Sequence, residues 1–133
     1  MINYKEIKSE ELRKEAEELK DKYFLFSIIV VDRINEGKFE LNYLFENKEN
    51  ADLINLKTFI LRNDPKIDSI SDIFPAADYE EREAYDMFGI IFTGHKNLKR
   101  ILLPEDWPFG YPLRKDFVIN DEIRNWTGTD LRW

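Results

Sequence analysis

Residues 23–31 read Tyr23-Phe24-Leu25-Phe26-Ser27-Ile28-Ile29-Val30-Val31, residues 35–37 read Asn35-Glu36-Gly37, and residues 39–45 read Phe39-Glu40-Leu41-Asn42-Tyr43-Leu44-Phe45. The first run is almost wholly apolar and rich in β-branched residues, the composition of a strand covered on both faces. In the second, Phe39, Leu41, Tyr43 and Phe45 alternate with Glu40, Asn42 and Leu44, which is the period of two of a strand. The Asn-Glu-Gly stretch between them has turn chemistry. A β-hairpin follows, and the rest of the chain is read against it.

Upstream, Leu12, Ala16, Leu19 and Tyr23 recur at helical spacing from Ser9, with Glu10 and Glu11 in the first turn where carboxylates suit the helix dipole. Downstream, Leu53 to Leu61 predicts a third strand with Ile54, Leu56 and Ile60 on one face, closed by Asn63-Asp64-Pro65. After a turn at 69–74, Pro75 to Phe88 predicts a second helix, with proline at its entrance and Gly89 just past its end. Ala77, Ala84 and Phe88 form its apolar stripe, and Arg82 and Asp86, four apart, are placed to pair on its surface. Thr93-Gly94-His95 reads as a tight turn and Arg100 to Leu103 as one further short strand. The expected fold class is α+β: an N-terminal helix, a mainly antiparallel sheet of three to four strands and a second helix, making a core domain over residues 1–103.

Residues 104–133 differ in kind. They hold Pro104, Pro108 and Pro112, all three tryptophans (Trp107, Trp126, Trp133), and Phe109, Tyr111 and Phe117. Proline fixes φ and removes backbone donors, so this arm is expected to run extended. Its aromatics must be buried on its own domain or on another chain. The partner reading is preferred, because the core elements already carry enough apolar residues to cover one another.

Composition excludes several classes. The chain has 133 residues, no cysteine and a formal charge of −7. Disulfides, thiolate nucleophiles and cysteine-held metal clusters are therefore out. An acidic balance does not suit a nucleic-acid binder. The apolar run from Phe24 to Val31 is far short of the ~20 residues needed to cross a bilayer, and the charged start has no apolar signal region, so a soluble cytoplasmic protein is expected. The acid is concentrated in residues 40–86, with 5 positive and 12 negative side chains.

No constellation demands catalysis. Glu80, Glu81, Glu83 and Asp86 spread around more than one face of their helix and read as a solvated or partner-facing surface rather than a general acid–base pair. A stand-alone hydrolase using Glu83 and Asp86 would need a pocket between them. His95, the single histidine, reads as a hydrogen-bonded turn residue. Arg114-Lys115-Asp116 reads as an interchain ion-pair site, with arginine's fork suited to a partner carboxylate. The five glycines are too scattered for a phosphate loop.

The run Glu81-Arg82-Glu83-Ala84-Tyr85-Asp86-Met87-Phe88-Gly89-Ile90, followed by Phe92, Gly94, His95, Leu98, Arg100, Trp107 and Pro112-Leu113-Arg114-Lys115-Asp116, closely resembles the 30-kDa subunit family of complex I. That family includes the corresponding small subunits of energy-converting membrane-bound [NiFe] hydrogenases. The resemblance implies a cofactor-free subunit of the hydrophilic arm, non-catalytic by itself. Its partners would be the large subunit holding the quinone or nickel–iron site and a neighbouring iron–sulfur subunit, and it would meet the membrane only indirectly. Glu81, Arg82, Glu83, Asp86, His95, Arg100, Trp107, Tyr111, Arg114, Lys115 and Asp116 are the docking candidates. Between Trp107 and Pro112 stands Pro108-Phe109-Gly110-Tyr111, one residue more than the Trp-x-Gly-His-Pro pattern of the respiratory branch. This leans toward the hydrogenase and ferredoxin-linked branch; the NADH:quinone branch is the alternative, and a free-standing interaction module is the less favoured one.

Overall fold

The computed structural model describes residues 2–127. Trp133 and Gly128 lie outside the described residues. The elements run β1 (Ile2–Glu6), α1 (Leu12–Leu19), β2 (Tyr23–Arg33), β3 (Lys38–Asn47), β4 (Leu53–Leu61), β5 (Lys66–Asp68), α2 (Ala77–Phe88), β6 (Ile91–Thr93) and α3 (Asp121–Thr127). The main sheet has four strands in the order β1-β4-β3-β2, and β5 and β6 form a small parallel pair. The expected α+β class holds.

The hairpin forms as the alternation predicts. β2 and β3 pair antiparallel from Tyr23↔Asn47 to Arg33↔Lys38, and Gly37 closes the turn at φ +68, a left-handed value that glycine reaches without strain. β4 continues the antiparallel ladder from Lys38↔Leu61 to Glu46↔Leu53. Register then fixes the core, because Phe39, Leu41, Tyr43 and Phe45 share a face with Leu56 and Ile60, and all are buried. Leu12 and Ala16 of α1, Ile70 and Phe74 of the following turn, and Ala77 and Ala84 of α2 pack into the same cluster. Phe45 meets Phe74 at 5.0 Å and Phe39 meets Phe88 edge-on at 5.9 Å.

Four expectations need correction. Tyr23 opens β2 instead of extending the first helical stripe. β2 is not covered on both faces: it is an edge strand, and Phe24, Phe26 and Ile29 are 42%, 59% and 47% exposed. A further strand, β1, which is not among the expected elements, pairs parallel to β4 at the other edge; its five residues are all exposed, and the alternation of Ile2 and Tyr4 with Asn3 and Lys5 is too short to announce it. Residues 100–103 form no strand, with bends at 101–103, for a reason given below.

Candidate functional site

Helix α2 ends at Gly89, whose N–H donates to the Tyr85 carbonyl at 2.8 Å and whose φ is +79. The charged residues of the helix divide by depth. Glu81 and Asp86 are fully buried, contrary to the solvated-face reading, because each satisfies backbone that would otherwise be orphaned in the core. Glu81 accepts from the Ser69 hydroxyl at 2.6 Å and from the Ile70 amide at 2.8 Å, fixing the turn before the helix. Burial outweighs these two bonds and pushes its carboxyl above the ordinary glutamate range.

Asp86 is held more completely. One oxygen takes Arg100 at 2.8 Å, and the other takes the amides of Ile101, Leu102 and Leu103 at 3.1, 2.7 and 3.0 Å. Three successive amides turned onto one carboxylate cannot also feed a sheet ladder, which is why 100–103 is not a strand. Burial works against the charge, but the Leu102 amide, Arg100 and the other amides together hold Asp86 below its ordinary value. The expected Arg82–Asp86 surface pair is absent, and Arg82 points to the Lys99 carbonyl at 3.4 Å.

The arm returns to this same helix end. Arg114 donates to the Phe88 carbonyl at 2.7 Å, and its guanidinium lies 4.7 Å from the Tyr111 ring and 5.3 Å from Phe39. Arg100 approaches Tyr111 from 5.5 Å. Gly89 is required where Tyr111 crosses, since a Cβ there would sit 2.6 Å from the ring. The Leu113 amide reaches the Met87 carbonyl at 3.1 Å, and the Lys115 amide reaches Asp32 at 2.9 Å. Arg62 bridges Asp32, at 2.9 and 3.1 Å, to Asp116 at 2.8 Å. Arg114, Lys115 and Asp116, read from sequence as an interchain ion-pair site, thus all engage their own domain.

Farther along, Trp107 donates to the Gly110 carbonyl at 3.1 Å and stacks edge-on with Phe109 at 5.1 Å and Trp126 at 5.6 Å. Residues 121–127 form the short helix α3 rather than extended chain, with Ile123 buried. Met87, Leu103, Trp107, Leu113, Phe117 and Ile123 line an apolar cavity of about 630 Å³ between α2 and the arm. His95 is set apart: its Nε2 stands 2.9 Å from Asp78 and its Nδ1 accepts the Asn97 amide at 3.0 Å, as a turn residue would. Among the described residues no group of three acidic or histidine side chains is arranged to hold a metal ion. Sequence reasoning missed Asp32, Arg62, Ser69 and the Gly89–Tyr111 contact. None has a local signature, since Arg62 lies 30 positions from Asp32 and 54 from Asp116.

The geometry defines a scaffold: a small sheet, a helix whose buried carboxylates fix the segments around it, and an aromatic arm stitched to the helix end. The chain belongs to the family described as respiratory-chain NADH dehydrogenase, 30 Kd subunit, whose profile matches residues 5–122. It is 44% identical over 101 residues to the C subunit of the NADH-quinone oxidoreductase of Roseiflexus castenholzii, covering 75% of this chain and 58% of that protein. The counterpart from Roseiflexus sp. (strain RS-1) is 45% identical over 100 residues, 74% of this chain and 57% of that protein. The chain thus spans less than three-fifths of the length of these curated relatives. Among solved structures, a chain of the membrane-bound sulfane sulfur reductase, an archaeal respiratory membrane complex, superimposes with a TM-score of 0.75 over 99% of this chain and 81% of its own, at 24% identity. The trypsin-resistant fragment (1-134) of Nqo5 gives 0.64 over 71% of this chain and 81% of its own, at 23% identity. At these identities the two structures establish the shared fold. No described helix is long and apolar enough to cross a membrane.

Proposed function

We propose that this chain is a hydrophilic-arm subunit of a complex-I-like membrane-bound oxidoreductase, non-catalytic by itself, which clamps the large subunit that holds the active site and borders an iron–sulfur subunit. It would sit peripherally on the cytoplasmic side. The observation that carries this reading is the arm: it is pinned at Tyr111, Arg114 and Asp116, yet Leu113, Val118 and Trp126 stay 54%, 71% and 41% exposed along it. Ordered backbone that keeps large apolar side chains in water is what a preformed docking surface requires.

Within the family, the Trp107-Pro108-Phe109-Gly110-Tyr111 spacing supports the hydrogenase and ferredoxin-linked branch. The identity to the quinone-oxidoreductase relatives supports the NADH:quinone branch as the second reading. Purification of the tagged chain from solubilised native membranes, with every co-purifying subunit identified, tests both. A large subunit with nickel–iron ligands gives the first branch, and one without them beside NADH-oxidising subunits gives the second. Recovery of the chain alone from the soluble fraction overturns the reading.

A further inference from the structure

The free edge of β2 does not face open solvent. Four consecutive residues, Ser27 to Val30, line a groove of about 340 Å³ with Ala84, Met87 and Phe88 of α2 and Leu113 of the arm. Side chains alternate across a strand, so a groove lined by consecutive residues runs along its edge rather than over one face. Glu80 and Glu83, one helical turn apart, stand in the same groove. Glu80 is half-buried beside the Ile28 backbone, and burial together with the nearby charge of Glu83 pushes its carboxyl above the ordinary range. Among the described residues, every lysine or arginine engaged in an ion pair is paired with some other carboxylate.

A groove that sets two carboxylates beside Met87, Phe88 and Leu113, with no lysine or arginine among the described residues that line it, is complementary to one kind of occupant. We infer that this groove seats an extended, lysine- or arginine-bearing segment of a partner protein in the complex, with its ammonium or guanidinium between Glu80 and Glu83 and its apolar neighbours on Met87, Phe88 and Leu113. A cation there relieves the repulsion between the two glutamates and replaces the water that burial removes from Glu80. Electrostatics argue against a second copy of this chain, which would bring four carboxylates together in a protein of charge −7. The inference rests on the proposed membership in a complex and adds a contact the arm does not supply.

The test uses the intact complex. A photoreactive benzophenone amino acid at Ile29, on the groove wall, and another at Tyr4, on the opposite sheet edge, are activated in the complex purified through a tag on this chain. The expected result is a partner peptide crosslinked at Ile29 that contains lysine or arginine beside the modified residue, with no such product from Tyr4. In the Glu80→Gln/Glu83→Gln variant its yield falls at least about tenfold. A crosslink to a second copy, a segment without a basic residue, or no Ile29 product from an intact complex overturns the groove assignment. If the wild-type chain brings down no partner at all, the membership reading fails first, and the groove proposal falls with it. Should the double variant not fold, the sequence of the Ile29 crosslink decides alone.

Discussion

Two buried carboxylates on one helix have opposite electrostatic outcomes. Glu81, toward the start of α2, has one hydroxyl and one amide for company, and burial leaves its carboxyl easier to protonate than usual. Asp86, five residues on, has Arg100 and three amides and is held ionised below the usual aspartate range. Both are 0% exposed, but Asp86 has twice as many donors, one of them cationic, and less protein packed around it than Glu81, and the two differences act in the same direction. The start of the helix is joined to its own layer by packing, with the carboxylate as one tie among many. Its end is joined to the 100–103 segment and the arm by point contacts, and there the carboxylate is the principal fastener.

The largest effect should therefore come from Asp86→Ala. It leaves Arg100 and three amides without their acceptor, at a cost of about 3–5 kcal/mol, the range for breaking a buried ion pair. Glu81→Ala should cost about 1–3 kcal/mol, the penalty for unsatisfied neutral donors. Urea unfolding at neutral pH compares the two. Equal losses would mean that donor number does not distinguish these sites.

The same division explains what the amino-acid pattern reveals. The hairpin, β4, both principal helices and the Gly89 stop are written in local periodicity and turn chemistry, and they appear where those signals put them. Residues Glu81 to Asp116 were also legible as a family signature, but not in their physical roles. An i,i+4 spacing suggested an Arg82–Asp86 surface pair, whereas the fold sends Asp86 inward to a segment 14 to 17 residues away. Likewise β1 is a five-residue exposed edge whose brief alternation, Ile2 and Tyr4 with Asn3 and Lys5, is too short to identify it, so its pairing with residues some 50 positions away is what makes it a strand. Contacts of that range leave no trace in a window of ten residues.

A smaller effect separates the glycines. Gly89 and Gly94 both have φ near +80 to +90, but a Cβ at Gly89 meets Tyr111 while one at Gly94 meets nothing within 4 Å. Gly94→Ala should cost only the left-handed backbone penalty of about 1–2 kcal/mol. Gly89→Ala adds the displacement of Tyr111, so it should also release the arm. Limited proteolysis between Leu103 and Phe117 reads this directly: faster cleavage in the Gly89 variant alone is expected, and equal cleavage in both would remove Tyr111 from the fastening.

Smaller still is Tyr43→Phe. The ring is fully buried with its hydroxyl unpartnered, and burial pushes the phenol well above its ordinary value. Deleting a buried hydroxyl that makes no bond should be neutral or stabilising by up to about 1 kcal/mol in thermal melts. A loss of more than that would reveal a bonded hydroxyl, and the sheet core would then contain a polar tie like those of α2.

The finest distinction is in the pH dependence of the two carboxylates. Asp86 has a folded pKa below its unfolded value, so its contribution is fully present above about pH 4, the ordinary aspartate range, and is lost as pH falls through the lowered folded value. Glu81 has the opposite sign: its folded pKa lies above the unfolded one, so the stability it contributes is complete below about pH 4.3 and declines as pH rises through the raised value. Glu81→Gln keeps an acceptor for the Ile70 amide and removes the titration, and should change neutral-pH stability by no more than about 1 kcal/mol. Relative to that variant, the native chain should gain stability on acidification, whereas relative to Asp86→Asn it should lose it. Denaturant midpoints measured from pH 7 down to about pH 2, so that the series passes below the ordinary aspartate range, supply both differences, and two slopes of the same sign would mean that burial, rather than the count of donors, governs both ends of α2.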